Sequence, residues 1–501
     1  MRPLVAIAVA LASLVAACSL QPLFERPPPP IAASYPTGPA YKAESGATTT
    51  PAEDIGWRNF LTDARLQRLV EIALANNRDL RVAALTVAQY QAQYRIQRSN
   101  RYPQVGAGAS VSGQRAPVAS IGRNVTSHVY SVDVSSSWEL DFFGRLQSLN
   151  DQALQQYFAT AQARKALQIS LVAQVANQYL AMLADDELLA VTRNTLETAQ
   201  ASYDLTRQQF DVGTGTELNL RQAETVVEQA KGNYAAQVRA RAQDENTLVL
   251  LLGQPLPADL PPLVALYSQS ILTDIPAGVP SDLLTRRPDI MKAEANLRSA
   301  NANIGAARAA FFPTISLTGS YGSESTALSR LFHGGSLAWS FVPSITMPIF
   351  EGGRLRASLD VATIQKDINV AQYEKAIQTA FQEVANDLAA RGTYDEQVAA
   401  LERDVAASQR YLNLAQQRFA AGIDSYLNVL TAQNNLYAAQ QALVSARAAR
   451  LTTLVSLYKD LGGGWIERTG DTPAAPEDVG SLAPHNNAPW DLLNAVSIGP
   501  R

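Results

Sequence analysis

The chain has 501 residues, of which 47% are hydrophobic and 17% are charged, and its formal net charge at pH 7 is −4. Because there is no basic excess to neutralise phosphates, a nucleic-acid partner is not expected. The single cysteine leaves no paired-cysteine motif for redox or zinc chemistry. A length of 501 would ordinarily suggest about three domains, but an internal repeat favours two copies of one module.

The N-terminus has the pattern of a cleaved export signal. Residues 1–17 contain a positive charge at position 2 and then a short apolar run, shorter than the roughly 20 apolar residues that a spanning helix needs. The Val-Ala-Ala-Cys that ends at Cys18 resembles a bacterial lipobox, in which this cysteine becomes the lipidated (palmitate-bearing) first residue of the mature chain. Ser19 follows, which in such lipoproteins suggests sorting to the outer membrane. The alternative is an unlipidated signal with an incidental cysteine.

Two copies of one large module follow, at a spacing of 209 to 210 residues. Asp79 precedes Pro103 by the same 24 residues that separate Asp289 from Pro313, an offset of 210, and further motifs recur at an offset of 209. A register held over much of the chain indicates duplication. The expected segments are the signal peptide 1–17, the lipidated extended segment 18–56, the first repeat 57–252, the Pro-rich connector 253–280, the second repeat 281–461 and the belt or tail 462–501.

Stretches without helix breakers predict one very long helix in each copy. The 68 residues from Arg145 to Val212 contain neither Gly nor Pro, and the 68 from Arg354 to Ala421 contain only Gly392. At 1.5 Å per residue, each helix would approach about 100 Å. Helices of this length need neighbours, so we expect a coiled-coil-like bundle.

A glycine-bearing turn ends each long helix, and a second helix then runs back over 217–252 or 425–461. Glycine just beyond a helix end commonly takes the left-handed conformation, so two αα-hairpins with tight tips are predicted. The predicted tip residues are Val212, Gly213, Thr214, Ala421, Gly422 and Ile423.

Between shorter helices over 64–101 and 281–311 and the long ones, apolar and polar residues alternate strictly. The alternating segments cover 105–111, 130–140 and 315–321, with the clearest case at 337–349. Such a period of two fits strands with one apolar and one polar face.

These strands fit either half-buried hairpins or a transmembrane barrel. Four aromatic residues lie near the ends of the predicted segments, as an interfacial girdle would require: Tyr130, Trp138, Tyr321 and Trp339. Four strands cannot close a barrel, because known barrels start at eight. Either the protein oligomerises or the barrel interpretation is wrong.

The second copy carries motifs that resemble the signature of the bacterial outer-membrane factors, the TolC-like family. They are Arg286-Arg287-Pro288-Asp289, Ala293-Glu294, Asn301 to Gly305 and Phe311-Phe312-Pro313. The resemblance points to the lipoprotein branch of efflux channels. It implies an α+β membrane protein in which three protomers give four strands each to one 12-stranded β-barrel, continued by a long α-helical coiled-coil barrel in the periplasm. From the residues themselves, Pro288 and Asp289 read as a helix start.

The resemblance also implies a function and partners. The trimer would be the exit duct of a tripartite efflux system for drugs and toxic compounds, working with a periplasmic adaptor and a proton-driven inner-membrane pump. Protein or peptide secretion by a type I exporter is the alternative. A purely structural coiled-coil lipoprotein would not need the alternating strands.

The resemblance assigns roles to the tips, which would meet the adaptor. Asp424 matches an acidic position near the closed tunnel aperture, where three symmetry-related carboxylates would form a gate. Its alternative role is a helix N-cap before Tyr426. The first copy has Gly215 at this position, so the constriction would depend mainly on the second hairpin. Asp211 and Arg418 are further candidates for tip contacts.

No sequence feature points to an enzyme. The three histidines, His128, His333 and His485, are scattered, and two lie in predicted hairpin loops, so they lack metal-ligand spacing. There is no Walker loop or nucleophile elbow. We therefore expect no catalytic residue, metal or cofactor.

Overall fold

A computed structural model describes residues 20–41, 50–118, 122–272 and 275–471. The predicted signal peptide, Cys18 and His485 lie outside the described residues. The strands are β1 (Gln104–Val118), β2 (Arg123–Leu140), β3 (Thr314–Ser325) and β4 (Leu337–Thr346). The helices are α1 (Trp57–Phe60), α2 (Ala64–Asn76), α3 (Arg78–Ser99), α4 (Arg145–Asp211), α5 (Glu217–Leu252), α6 (Leu283–Arg286), α7 (Pro288–Ala309), α8 (Arg354–Ala420) and α9 (Tyr426–Asp460).

The long helices confirm the interpretation of the breaker-free stretches. α4 and α8 have 67 residues each, and α8 continues through Gly392. The offset between their first residues, Arg145 and Arg354, is the 209 of the sequence repeat. Each long helix is followed by a returning helix, α5 of 36 residues and α9 of 35. The two predicted αα-hairpins are therefore present.

Each of the shorter predicted helices is interrupted, which corrects the continuous helices expected over 64–101 and 281–311. The first breaks at Asn77, which has an extended backbone (ψ 130°) and whose Oδ1 accepts a bond from the Leu80 N–H at 2.9 Å, so that it caps α3. The second breaks at Arg287 (ψ 120°). Pro288 follows it, and a residue before proline is disfavoured in the helical region.

The four strands form one antiparallel sheet in the order β1-β2-β3-β4. Its two faces differ as the alternation predicts. On one face Ser135, Ser320 and Ser340 are aligned across the sheet, and the Ser320 and Ser340 hydroxyls are 2.7 Å apart. On the other face Val134, Tyr321 and Trp339 are aligned, and Trp339 is 72% exposed in the isolated chain.

β1, β2 and β3 are longer than predicted at their hairpin ends, whereas β4 begins at 337 as predicted and ends at Thr346 rather than at 349. The longer strands correct two positions. β2 begins at Arg123, so Tyr130 lies in mid-strand rather than at a membrane-interface end. His128, expected in a hairpin loop, lies on β2 opposite Gly113. His333 lies in the connection between β3 and β4 as expected. Most of the extra residues are polar, and Val125 and Val129 lie on the opposite face from Tyr130 and Val132, so they do not continue the apolar alternation.

The connector and the start of the tail are tied to the entry of the first repeat. Leu61 forms a bridge with Ile271, and the Trp57 N–H donates to the Ile466 carbonyl at 3.0 Å. The Tyr458 hydroxyl donates to the carbonyl of Ile55. These contacts hold the connector and the start of the tail against residues 55–61.

The chain divides into two compact units. One holds the sheet, within 86–161 and 292–375, together with residues 20–28. The other holds most of the remaining chain, including both helix tips. Among the helices of the described residues, none combines the length and apolar character required to cross a bilayer.

Candidate functional site

The two tips are built by the same backbone turn. Gly213 has φ 80° and Gly422 has φ 71°, in the left-handed region that the sequence predicted. In the first tip the Thr214 N–H donates to the carbonyl of residue 209 at 2.9 Å, and in the second the Ile423 N–H donates to the carbonyl of residue 418 at 3.0 Å. Both tips expose apolar side chains, with Val212 74% and Ile423 63% exposed.

The second tip contains an ion pair within the chain. The Arg418 Nε donates to Asp424 Oδ2 at 2.6 Å, and its Nη2 donates to Oδ1 at 3.2 Å. The hydrogen bond from Arg418 holds the pKa of the Asp424 carboxyl below its usual value, so the carboxylate is ionised at neutral pH. The first tip has Gln209 and Gly215 at these positions and therefore lacks the pair.

Asp424 is not the helix N-cap. The N-cap of α9 is Ser425, and its side chain makes no capping bond. In the first hairpin the equivalent Thr216 does cap α5, accepting from the Asn219 N–H at 3.2 Å. The capping role considered for Asp424 was therefore wrong, because Arg418 holds its carboxylate instead.

An aromatic pair supports the second tip. The Phe419 and Tyr426 rings are 5.3 Å apart, and Tyr426 is 2% exposed within an apolar cluster from the long helices. Burial raises the pKa of the Tyr426 hydroxyl. At the equivalent positions the first tip has Phe210, which is 39% exposed, and Glu217. The second tip is thus the more firmly packed of the two.

The Arg-Arg-Pro-Asp motif is the centre of a buried ionic network. The Arg287 side chain is 9% exposed and lies 2.6 Å from Asp289 and 2.7 Å from Glu383. It also donates to the Asp460 carbonyl at 3.2 Å. Burial alone would lower the pKa of the guanidinium, but the carboxylates of Asp289 and Glu383 raise it overall. The motif joins the start of α7 to α8 and α9, which supports a structural role.

Beside this network two carboxyl groups share a buried environment. Asp387 on α8 and Asp460 on α9 interact electrostatically, and the Asp387 Oδ2 atom is buried without a hydrogen-bond partner. Burial and then the charge of Asp460 raise the pKa of Asp387. Lys459 lies 3.0 Å from Asp460 and neutralises part of the charge. This pair could not be predicted from the sequence, because its members are 73 residues apart.

Chemically, the tip site offers apolar contacts and a paired charge rather than reactive groups. In the part of the chain that the structure describes, no cluster of three or more His, Cys, Asp or Glu residues is arranged to hold a metal ion. Long paired helices with tight ends, joined to a sheet with one apolar face, define the architectural class of the outer-membrane channels.

Comparison with known proteins places the chain within this class. The model of the outer membrane efflux protein family matches residues 69–254 and 279–463, so the chain belongs to this family. The two matches fall on the two repeats, and the resemblance to the outer-membrane factors is confirmed.

Similar proteins agree with this assignment. The chain is 51% identical to the probable efflux pump outer membrane protein TtgC of Pseudomonas putida, over 92% of this chain and 95% of that protein. It is 43% identical to the outer membrane protein OprJ of Pseudomonas aeruginosa, over 92% and 96%. The open-state structure of the Neisseria gonorrhoeae MtrE outer membrane channel is similar with a TM-score of 0.80 and 39% identity, over 91% of this chain and all of that one.

Proposed function

We propose that three copies of this chain form an outer-membrane efflux duct. The observation that carries the proposal is the sheet: β1 and β4 are its two edges, and its apolar face is exposed in a single chain. Pairing β1 of one protomer with β4 of the next would give a closed barrel of twelve strands, which removes the edges and turns the apolar face towards lipid.

The serine face would then line the lumen. Ser110 and Ser131, and likewise Ser316 and Ser344, have hydroxyls 2.8 Å apart across neighbouring strands. A polar lumen and an apolar outer surface are the pattern of transmembrane barrels. The long helices of three chains would continue the duct as a coiled-coil barrel in the periplasm.

The names of two relatives support the proposed cargo. One from Pseudomonas putida is named a toluene efflux pump outer membrane protein and another an antibiotic efflux pump outer membrane protein. We assign small toxic compounds as cargo, a periplasmic adaptor as the partner at the tips, and a proton-driven inner-membrane pump as the source of energy. The alternative is secretion of a peptide by a type I exporter.

The adaptor is assigned to the exposed tip residues. Val212, Gly213 and Thr214 in one hairpin, and Ala421, Gly422 and Ile423 in the other, present apolar side chains and backbone at the helix ends. The Asp424–Arg418 pair beside them would act as the gate. Because the carboxylate is already paired, opening requires this ion pair to change partner or to move as a unit.

The lipid anchor is assigned to Cys18. Metabolic labelling with palmitate should mark the wild-type protein, and Cys18→Ser should lose the label. A label that persists in this variant would contradict the assignment.

The function is tested by complementation. The gene is expressed in a strain that retains an adaptor and pump of this type but lacks the outer-membrane component. Restored export of toluene or a fluorescent drug is expected, together with a trimer on unheated detergent gels. Val212→Asp combined with Ile423→Asp should still give trimers but fail to restore export, because the charged tips no longer match an apolar partner. Trimers that secrete a peptide substrate but never restore drug export would support the exporter alternative.

A further inference from the structure

Three motif residues of the second repeat lie on one side of α7. Glu294, Asn301 and Gly305 are spaced by seven and four residues, which places them on the same helix face. Asn301 is fully buried and Glu294 is 7% exposed. None of the three residues belongs to the tips or to the Arg287 network. Their position on one buried helix face therefore needs another explanation.

What covers this face is the chain's own N-terminal segment. Arg26 Nη2 donates to both oxygens of the Glu294 carboxylate, at 2.9 and 3.0 Å. Further along the helix, Asn301 Nδ2 donates to the Pro22 carbonyl at 2.8 Å.

Gly305 admits the backbone of the same segment. A Cβ atom placed there would lie 2.9 Å from the Gln21 Cα and 2.6 Å from the Ser148 Oγ, distances that atoms do not tolerate. Glycine is therefore required by the segment on one side and by α4 on the other. The segment runs antiparallel to the helix, with residue 26 over residue 294 and residue 21 over residue 305.

The first repeat has no such surface. At an offset of 210, the equivalents of Glu294, Asn301 and Gly305 are Ala84, Gln91 and Arg95. An arginine in place of the glycine would block the approach of a backbone. This surface is therefore present in the second repeat only, in agreement with a single N-terminal segment in each chain.

We propose that Glu294, Asn301 and Gly305 form a docking track for residues 20–26, and that this track fixes where the membrane anchor lies. Arg308 Nη1 donates to the Leu20 carbonyl at 3.5 Å, and β3 begins six residues later at Thr314. Two residues of chain span at most about 7 Å, so an anchor at Cys18 is confined to the end of α7 that leads into the sheet. This consequence rests on the proposed lipidation, whereas the track itself does not.

The chain has a single cysteine, so replacing it allows one spin label to be placed at a chosen position. Leu23 is 84% exposed, so Leu23→Cys in a Cys18→Ser background provides one thiol for a nitroxide without disturbing the track. Electron paramagnetic resonance of the detergent-solubilised full chain should show a restricted label. Arg26→Ala and Asn301→Ala should each make the label several-fold more mobile, whereas Lys292→Ala, an exposed change on the same helix, should not.

Arg26→Ala keeps the test decisive if Asn301→Ala does not fold, because Arg26 lies on the segment and its side chain is 46% exposed. A label that is freely mobile in the parent, or unchanged by Arg26→Ala, would overturn the track. Lipidation is judged separately, from the number of nitroxides that bind Leu23→Cys with Cys18 retained. One nitroxide per chain agrees with an acylated Cys18. Two nitroxides per chain would contradict the lipidation of Cys18 but not the docking track.

Discussion

At the second tip the backbone turn is slightly open, and the reason is a single side chain. The Gly215 N–H donates to the carbonyl of residue 209 at 2.8 Å, whereas the Asp424 N–H lies 3.4 Å from the carbonyl of residue 418. In the first tip a Cβ on Gly215 would lie 3.0 Å from the Phe210 nitrogen. The wider turn therefore accommodates the Cβ atom of Asp424, and the duplicated tips differ because position 215 has a glycine where position 424 has a side chain.

The ion pair predicts opposite effects of its two members on ion preference. Arg418→Ala should leave the Asp424 carboxylate without its partner and increase the preference for cations. Asp424→Ala should leave an excess of positive charge and decrease it. Single-channel recording in planar bilayers under a salt gradient measures both as shifts of the reversal potential.

The matched control for this prediction is Asp211→Ala. Asp211 is beside the first tip and lies 4.0 Å from Arg207, with both side chains 63% exposed. The change in charge is the same as in Asp424→Ala, but ion preference should remain near that of the wild type. Equal shifts from both aspartates would show that the second tip is not the constriction.

Arg287 and its neighbour Arg286 predict very different stability losses. Removal of one partner from a buried ion pair costs about 3–5 kcal/mol, since it leaves uncompensated charge, so Arg287→Ala should strongly destabilise the protein. Arg286 is 28% exposed and lies 3.4 Å from Glu53, so Arg286→Ala should cost no more than about 1 kcal/mol. Thermal denaturation in detergent measures both, and similar losses would contradict the network.

At the scale of the helix, two glycines predict opposite responses to the same substitution. Gly422 has a positive φ, so Gly422→Ala should destabilise the second hairpin by about 1 kcal/mol or more. Gly232 lies within α5 with open space where a Cβ would be, so Gly232→Ala should stabilise it by about 0.5–1 kcal/mol. Hydrogen exchange of the flanking helix amides reports each effect. Destabilisation by Gly232→Ala would mean that another chain packs against this position.

The contact between α8 and α9 predicts a dependence of stability on pH. Burial and the charge of Asp460 raise the pKa of Asp387 to about 8, above the usual value of about 3.9. The folded chain binds the Asp387 proton more tightly than the unfolded chain does. The stabilisation from this proton is therefore fully present below about pH 4 and is lost as the pH rises through 8. Glu383 opposes ionisation as well, whereas Lys459 favours it.

Asp387→Asn should therefore lose less thermal stability than the wild type between pH 6 and pH 9, since it keeps a hydrogen-bonding group but has no proton to lose. Asp367→Asn, an exposed change on the same helix, should follow the wild type. Parallel stability curves for Asp387→Asn and the wild type would contradict the shared carboxyl environment.

The sequence predicted the elements better than the contacts between them. The ends of α4 and α8 were evident because Gly213 and Gly422 directly follow the breaker-free stretches. The start of β2 was missed because pairing with β1, rather than any apolar alternation, extends it to Arg123. The Arg418–Asp424 pair could have been predicted from the sequence, since both residues lie beside the same turn. The partners of Arg287, in contrast, are distant in sequence and only the fold brings them together.

At the scale of the whole molecule, the duplication does not provide partners for the two edge strands of the sheet within the residues of a single chain that the structure describes. The two β-hairpins pair with each other through β2 and β3, and this leaves β1 and β4 without partners in the described part of the chain. Unpaired edges and an exposed apolar face would favour aggregation in water. Both features become favourable if the same edges join neighbouring copies in a membrane.

Closure between copies is tested by disulfide formation across the edges. With Cys18 retained as the proposed acyl attachment site, Gly108→Cys on β1 is combined with single cysteines at positions 338–346 on β4. At least one pair should give covalent dimers and trimers on oxidation, and the ladder should stop at three because the ring is closed. The control is Ser135→Cys with Ser320→Cys, which are partners within one chain and should give only monomers with an internal bond. If no β1–β4 pair produces a ladder in the membrane while the control pair oxidises normally, the edges do not meet and the twelve-stranded barrel is wrong.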